Sequence, residues 1–191
     1  FMAKAAVEMA CWGLAATASA KPLAELIGGE RREIPVGISL GIQNSPQKLV
    51  ERVGRAKEEG YKKVKIKIKP GKDIAYLRAV KEKYPDMSSF MADANNAFTI
   101  DDLAVLEQID KLGLMMIEQP LAWDDVVQHR FLQEKLHTPL CLDESITGIE
   151  RARDMVALDS GRIVNIKPGR VGGFSSSIAI HDFCQENDIP V

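Results

Sequence analysis

Short apolar runs rich in Val, Ile, Leu and Met recur along the chain at Val36–Leu40, Val64–Ile68, Phe90–Ala92, Leu114–Ile117, Leu140–Leu142 and Ile163–Ile166, and another starts at Ile189. Their centres fall about every 25 residues, the length of one strand, one helix and two short loops. Helical patterns with start and stop signals lie between them. Ser45-Pro46 opens a helix with the proline at its first position, and Gly60 ends it. Thr99 with Asp102 forms a capping box, and Gly113 closes that helix. Asp124 to Leu136 carries Val126, Val127, Phe131, Leu132 and Leu136 at helical spacing. Thr147 with Glu150 begins another helix, and Phe174 to Asn187 is the last, with Ile178, Ile180, Phe183 and Cys184 as core contacts.

Strand, helix, strand at this spacing means parallel βαβ units, either in an open doubly wound sheet or in a closed barrel. The open sheet normally brings a glycine-rich phosphate turn, and neither G-x-G-x-x-G nor G-x-x-x-x-G-K-[ST] occurs. Even spacing favours an α/β fold of the (β/α) TIM-barrel type. A complete barrel takes roughly 250 residues. The 191 residues are therefore read as an incomplete barrel, about six βα units plus the start of strand 7, within a longer protein. The helix from Met2 to about Ala20 has no strand before it and reads as a join to something upstream.

Charge adds the chemistry. Side chains alternate along a strand, so Lys65 and Lys67 share one face and Ile66 and Ile68 the other. Asp93 follows Phe-Met-Ala, Glu118 follows Met-Met-Ile, Asp143 follows Leu-Cys-Leu and Lys167 follows Val-Asn-Ile. From Lys67 on, these groups stand 24 to 26 residues apart, at one repeated level in five successive units. That level is the C-terminal end of the strands, where a parallel barrel builds its active site. Ionised groups among Met, Ile and Leu are unfavourable unless paired or bound to metal. Three carboxylates without a nearby His or Cys favour a hard cation, Mg2+ first and Mn2+ as the alternative. His129, His137 and His181 fall within helices and read as surface or packing residues.

In an eight-stranded ring the second and sixth strands stand roughly opposite. Lys67 and Lys167 then face each other across the mouth, with the metal on the strands between. A small-molecule carboxylate bound there would lose its α-proton to a lysine, and metal and ammonium charge would stabilise the enediolate. A lysine base must first be neutral, which desolvation and the positive charge of Lys65 and the metal favour.

The overall composition is that of an ordinary globular protein, 46% hydrophobic and 27% charged. A formal net charge of −2 gives no bulk attraction for nucleic acid, and no apolar stretch is long enough to span a membrane. The opening from Phe1 reads as a helix, not a signal peptide. Cys11, Cys141 and Cys184 have no disulfide or zinc spacing and read as reduced thiols of a cytoplasmic protein.

The K-x-K of Lys65-Ile66-Lys67, the three acids on successive strands and the lysine on the next resemble the muconate-lactonizing-enzyme-like branch of the enolase superfamily, whose sites are known for a lysine base working with Mg2+. More narrowly, Asp93-Ala94-Asn95, Ile117-Glu118-Gln119-Pro120-Leu121, Cys141-Leu142-Asp143-Glu144-Ser145 and the run Asn165 to Gly173 (N-I-K-P-G-R-V-G-G) resemble o-succinylbenzoate synthases, which overlap with N-acylamino acid racemases. The resemblance covers essentially the whole chain. It implies metal ligation by Asp93, Glu118 and Asp143, and acid/base work by Lys67. Lys167 would stabilise the enediolate in a synthase or share proton transfer in a racemase. Ser39 would lie near the substrate, and Asn95 and Glu144 behind the metal ligands. It also implies menaquinone synthesis as the setting, a homo-oligomer, and a capping domain outside this chain. Residues 1–33 would lead from that cap and residues 34–191 would form part of the barrel. Lys69 departs from the pattern, standing where relatives often carry an acid.

Overall fold

The computed structural model describes residues 1–31 and 33–191. Helices α1 (Met2–Ala18) and α2 (Leu23–Leu26) precede an alternation of strands and helices: β1 (Gly37–Leu40), α3 (Pro46–Glu58), β2 (Lys63–Lys67), α4 (Ile74–Lys83), β3 (Phe90–Asp93), α5 (Leu103–Asp110), β4 (Met116–Glu118), α6 (Val126–Lys135), β5 (Leu140–Leu142), α7 (Ile149–Leu158) and β6 (Ile163–Val164). The short α8 (Pro168–Val171) and the longer α9 (Phe174–Glu186) follow. The strands form one parallel sheet in the order β1 to β6. This is an arc of a (β/α) barrel, as the even spacing predicts.

Local signals explain most element boundaries. Ser45 Oγ accepts the Lys48 N–H at 3.2 Å, Pro46 fills the first turn of α3, and Gly60 leaves the helix at φ +89°. Leu49, Val53 and Ala56, spaced at one helical face, bury against the sheet. The Thr99–Asp102 box is present and opens a 3-10 turn, Ile100–Asp102, that runs into α5. Other boundaries differ from expectation. Helix α7 starts at Ile149 with Gly148 before it and no side-chain cap, so Thr147 does not cap it. Helix α4 has an Asp at its start but neither a capping box nor a closing glycine. Asp73 caps it by accepting the Gly71 and Ile74 amides at 3.0 and 2.5 Å, and non-glycine Tyr84 ends it. On α6 the buried positions are Val126, His129, Leu132 and Gln133, which turns Val127 and Phe131 outward. No strand forms at 189–191, although the Pro190 carbonyl accepts the Val164 N–H at 3.0 Å and so begins a pairing with β6.

The apolar core lies between sheet and helices. One cluster joins β1–β5 to α3–α6 through residues such as Val64, Ile66, Leu77, Phe90 and Leu106, and a second joins Leu142 and Val164 to Met155, Ile180 and Cys184. Strand β2 displays the organising rule: Val64 and Ile66 are buried on the helix side, while Lys63, Lys65 and Lys67 share the opposite face. His129 is buried as a packing residue, its Nε2 accepting the Leu121 N–H at 3.3 Å, while His137 is exposed and His181 half-buried. Cys141 and Cys184 are buried and Cys11 is exposed; all three are free thiols.

Phe90 is fully buried, 6.0 Å from the Tyr84 ring and under the Lys57 ammonium at 4.9 Å. Phe90→Ala should therefore cost about 3–5 kcal/mol in urea unfolding of the full-length protein; a loss below about 1 kcal/mol would contradict this packing. Asp110 ties the end of α5 to the entry of β5, accepting the Thr138 N–H at 2.6 Å. Burial raises its pKa, but the bonds from Thr138 and His137 outweigh burial and hold the carboxyl below its ordinary value. A depressed carboxyl adds stability above its unfolded pKa of about 3.9 and loses it as pH falls through the lower folded value. The stability gap between wild type and Asp110→Asn should thus narrow between pH 6 and pH 3, read from urea midpoints.

Candidate active site

The sheet register gathers the predicted residues. Lys67 pairs with Asp93, and Asp93 with Glu118, so three charged side chains share one rung on the face away from the helices. Glu118 pairs with Cys141, which puts Asp143 two residues further along the same face of β5. Asp93, Glu118 and Asp143 are 1%, 2% and 0% exposed. Carboxylates so buried need partners, and each has a cation. Lys65 Nζ lies 2.7 and 3.0 Å from the Glu118 oxygens and 3.4 Å from Asp93 Oδ2. Lys67 Nζ donates to the same Asp93 oxygen at 2.6 Å and to Asn95 Oδ1. Lys167 Nζ donates to Asp143 Oδ2 at 2.5 Å, and Arg170 donates to Asp143 Oδ1 and, at 2.6 Å, to its carbonyl.

A polar frame holds this set. Asn95 accepts from Lys67, donates its amide N–H to Asp93 Oδ1 at 3.1 Å, and donates its Nδ2 to Glu144 Oε1 at 2.9 Å. Glu144 Oε2 is buried without a hydrogen-bond partner among the described residues. Ser39 is exposed and pairs in register with Lys65. Lys69 is exposed just past β2.

Three further residues, seen in the sequence only as parts of motifs and without a role, join the site. Asn165 Nδ2 donates to Glu118 Oε1 at 3.0 Å; its signal was parity, two positions before Lys167. Arg170 is three residues past Lys167, one turn along α8, which brings both cations onto Asp143. Gln119 is fully buried at φ +40°. Its Oε1 accepts the Asp143 and Ser145 amides at 2.9 and 3.1 Å, and its Nε2 donates to Ser145 Oγ at 2.8 Å and the Leu121 carbonyl at 3.2 Å.

The electrostatics split the acids. Burial, aided by the Asp93 charge, pushes Glu118 above its ordinary carboxyl value against the opposing pull of Lys65 and Asn165. Burial also raises Asp143, but Arg170 and Lys167 outweigh it and hold that carboxyl low. Lys65 loses charge stability to burial and regains more from Glu118 and Asp93, so its pKa rises. The Cys141 thiol is pushed well up by burial and then by Glu118, Asp143 and Asp93. All three acids therefore lie within electrostatic reach of one sulfur.

Three oxygen-donor side chains on adjacent strands suit a hard divalent cation in kind. In their present rotamers they turn to ammonium and guanidinium groups. Among the described residues no three His, Cys, Asp or Glu side chains gather closely enough to hold a metal ion. The donor set fits such an ion by its chemistry, not by its present side-chain arrangement, in which Lys65, Lys67, Lys167 and Arg170 supply the positive charge. A cavity of about 390 Å³ opens beside Lys67 and Asn95, bounded by Ile42, Ile68, Lys69 and Ala97. Another, of about 550 Å³, lies away from the acids, where Phe1 and Lys4 meet the starts of α7 and α9.

A parallel α/β arc whose strand ends carry buried acids flanked by lysines matches one known class. The chain belongs to the Enolase C-terminal domain-like family, whose model matches residues 48–191. It is 49% identical to an o-succinylbenzoate synthase of Geobacillus kaustophilus and 47% identical to an N-succinylamino acid racemase of Thermus thermophilus, covering 100% of this chain and 50% and 51% of those proteins. A crystal structure of an enolase-superfamily member from Listeria innocua superposes with a TM-score of 0.93 at 41% identity, over 98% of this chain and 50% of that one. The chain spans about half the length of the curated relatives it matches. Enzymes of this superfamily are metal-dependent, generally on Mg2+. No helix among the described residues is long and apolar enough to cross a membrane.

Gln119→Leu would leave two buried amides unpaired, at about 1–3 kcal/mol each. The expected destabilisation, read from denaturant midpoints, is several-fold larger than that of the surface control Lys62→Ala; equal effects would show that Gln119 does not hold the Asp143 loop.

Proposed function

We propose that the protein carrying this chain is an o-succinylbenzoate synthase, a metal-dependent carbon–oxygen lyase of menaquinone synthesis. The observation that carries this reading is the placement of Lys67 on β2 and Lys167 just after β6, on either side of three strands that each bring one buried carboxylate. The similarity to named synthases over the full chain supports the substrate class.

Asp93, Glu118 and Asp143 would hold Mg2+, or Mn2+. When bound, the ion supplies Lewis-acid stabilisation to a substrate carboxylate. Lys67 removes the α-proton, with Asn95 orienting its amine. Lys167 stabilises the developing enediolate by its charge. Lys67 then passes the proton to the departing hydroxide, so that the α-C–H and the C–O bonds break, a carbon–carbon double bond forms and water leaves. Lys65 balances Glu118 and Asp93, Glu144 steadies Asn95, and Ser39 borders the substrate.

A second reading is N-acylamino acid racemase, alone or beside the first activity. It is favoured by the presence of both lysines, one to take a proton and one to return it on the opposite face, and by the racemase relative at 47% identity. In either case we read residues 1–33 as the lead from a capping domain and residues 34–191 as barrel. We place the protein in the cytoplasm as a homo-oligomer that binds neither nucleic acid nor membrane.

The test is the full-length protein with both substrate classes. Lys67→Ala should lower turnover by about 10²–10⁴-fold and abolish exchange with D2O of the α-proton of the synthase substrate, while Mg2+ binding by calorimetry persists. Chelation should remove activity and added Mg2+ restore it. Surviving exchange of the synthase substrate in Lys67→Ala would overturn the assignment of the base, and fast racemisation without dehydration would replace synthase by racemase.

A further inference from the structure

Helix α9 begins without a cap of its own. Gly173 precedes it, and no nearby side chain bonds its first amides. The cap comes from α1. Glu8 Oε2 accepts the Phe174 N–H at 2.8 Å, and Oε1 accepts the Ser175 N–H at 2.9 Å and the Ser175 hydroxyl at 2.6 Å. Trp12 Nε1–H donates to Glu8 Oε1 at 2.9 Å and fixes the carboxylate from behind. A carboxylate suits the positive end of a helix, and here it fills two otherwise orphaned donors. These bonds hold the Glu8 carboxyl down at about 2.

The contact is close enough to dictate sequence. Gly173 sits at φ +117°, and a Cβ there would fall 2.1 Å from Glu8 Oε2. Gly172, at φ +100°, lies under the Lys4 stem. The clamped turn leads straight back to the site. Gly172 and Gly173 donate to the Pro168 carbonyl at 3.1 and 2.8 Å, and Arg170 and Val171 donate to the Lys167 carbonyl at 2.8 and 3.1 Å. Hydrogen bonds alternating with short stretches of backbone therefore connect Glu8 to Lys167, and Lys167 and Arg170 both reach Asp143.

We propose that Glu8 is a positioning residue for Lys167 and Arg170, clamping the turn 167–173 from outside the barrel and so setting where the Lys167 amine stands. Its catalytic consequence rests on the two-lysine reading above; its structural consequence does not. Lys67, on the far strand, reaches this turn only at a distance, through Asn95, Glu144 and Asp143, and keeps its place when the clamp is released.

The experiment uses the full-length protein with Glu8→Ala, Glu8→Gln and Glu8→Asp, and Lys167→Ala as reference. Exchange of the α-proton with D2O is followed separately for the two enantiomers of an N-succinylamino acid. The enantiomer silenced by Lys167→Ala reports on Lys167 and the other on Lys67. In Glu8→Ala the Lys167-dependent exchange should fall about 10-fold in kcat at nearly constant KM, as a displacement well under 1 Å can do, and the Lys67-dependent exchange should hold within about twofold. Glu8→Asp should recover part of the loss and Glu8→Gln less, because its amide N–H2 opposes backbone donors. Amide hydrogen exchange at Gly172–Ser175 should quicken in Glu8→Ala. An equal fall for both enantiomers, or no fall for either, overturns the inference. If wild type exchanges neither enantiomer, the functional reading fails, and amide exchange alone decides: faster exchange at Val171 and Gly173 supports the clamp, and unchanged exchange overturns it. Should Glu8→Ala not fold, Glu8→Gln carries the same comparisons.

Discussion

Three carboxylates with almost no exposed surface sit on neighbouring strands, and such a cluster of negative charge is stable only against an equal density of positive charge. Lys65 shares itself between Glu118 and Asp93, Lys67 leans on Asp93, and Lys167 and Arg170 converge on Asp143. The rest of the architecture serves this balance. Apolar residues of the opposite strand parity anchor each strand to its helix, which leaves the other parity free to carry charge. A divalent ion would enter as one more cation in the same balance, competing with amines for the same oxygens.

Register does the gathering. Parallel pairing of Lys67 with Asp93 and of Asp93 with Glu118 is a backbone property, fixed before any side chain chooses a rotamer. Gln119 then converts it into a rigid spacing between β4 and β5, because both of its ends are occupied by groups of the Asp143–Ser145 loop or its own strand end. The clamp from Glu8 does the comparable service on the β6 side.

Much of this was legible in the chain. The six strands, the parallel order and the five charged strand ends follow from apolar runs of even spacing and from the period of two along a strand. Residues that act through backbone geometry were harder to see. Arg170 becomes a partner of Asp143 only because residues 168–171 take a helical turn, and Asn165 because the strand parity continues past Val164. Helix α4 hides because Asp73 caps it through the amides one position after and two before its own, with no capping-box partner and no closing glycine. Thr147 satisfies the spacing rule for a cap, yet Gly148 takes the place next to the helix. Val127 and Phe131 match a helical period but lie on the wrong arc of α6, which hydrophobicity alone cannot distinguish. The spatial pairing of Glu8 with Phe174, 166 residues apart, has no local sequence signature at all.

The bends that follow the acids are made by Asn95, Asn96 and Gln119, at φ +44°, +64° and +40°. Left-handed backbone is usually left to glycine. Here two of the three residues also hold the polar frame through their side chains, so glycine would relax the bend and delete the bonds, while a β-branched residue would strain it. Such positions leave evolution little room to wander: new specificities in a scaffold of this kind are more readily found in the surrounding loops than in the corners that turn the chain behind its acids.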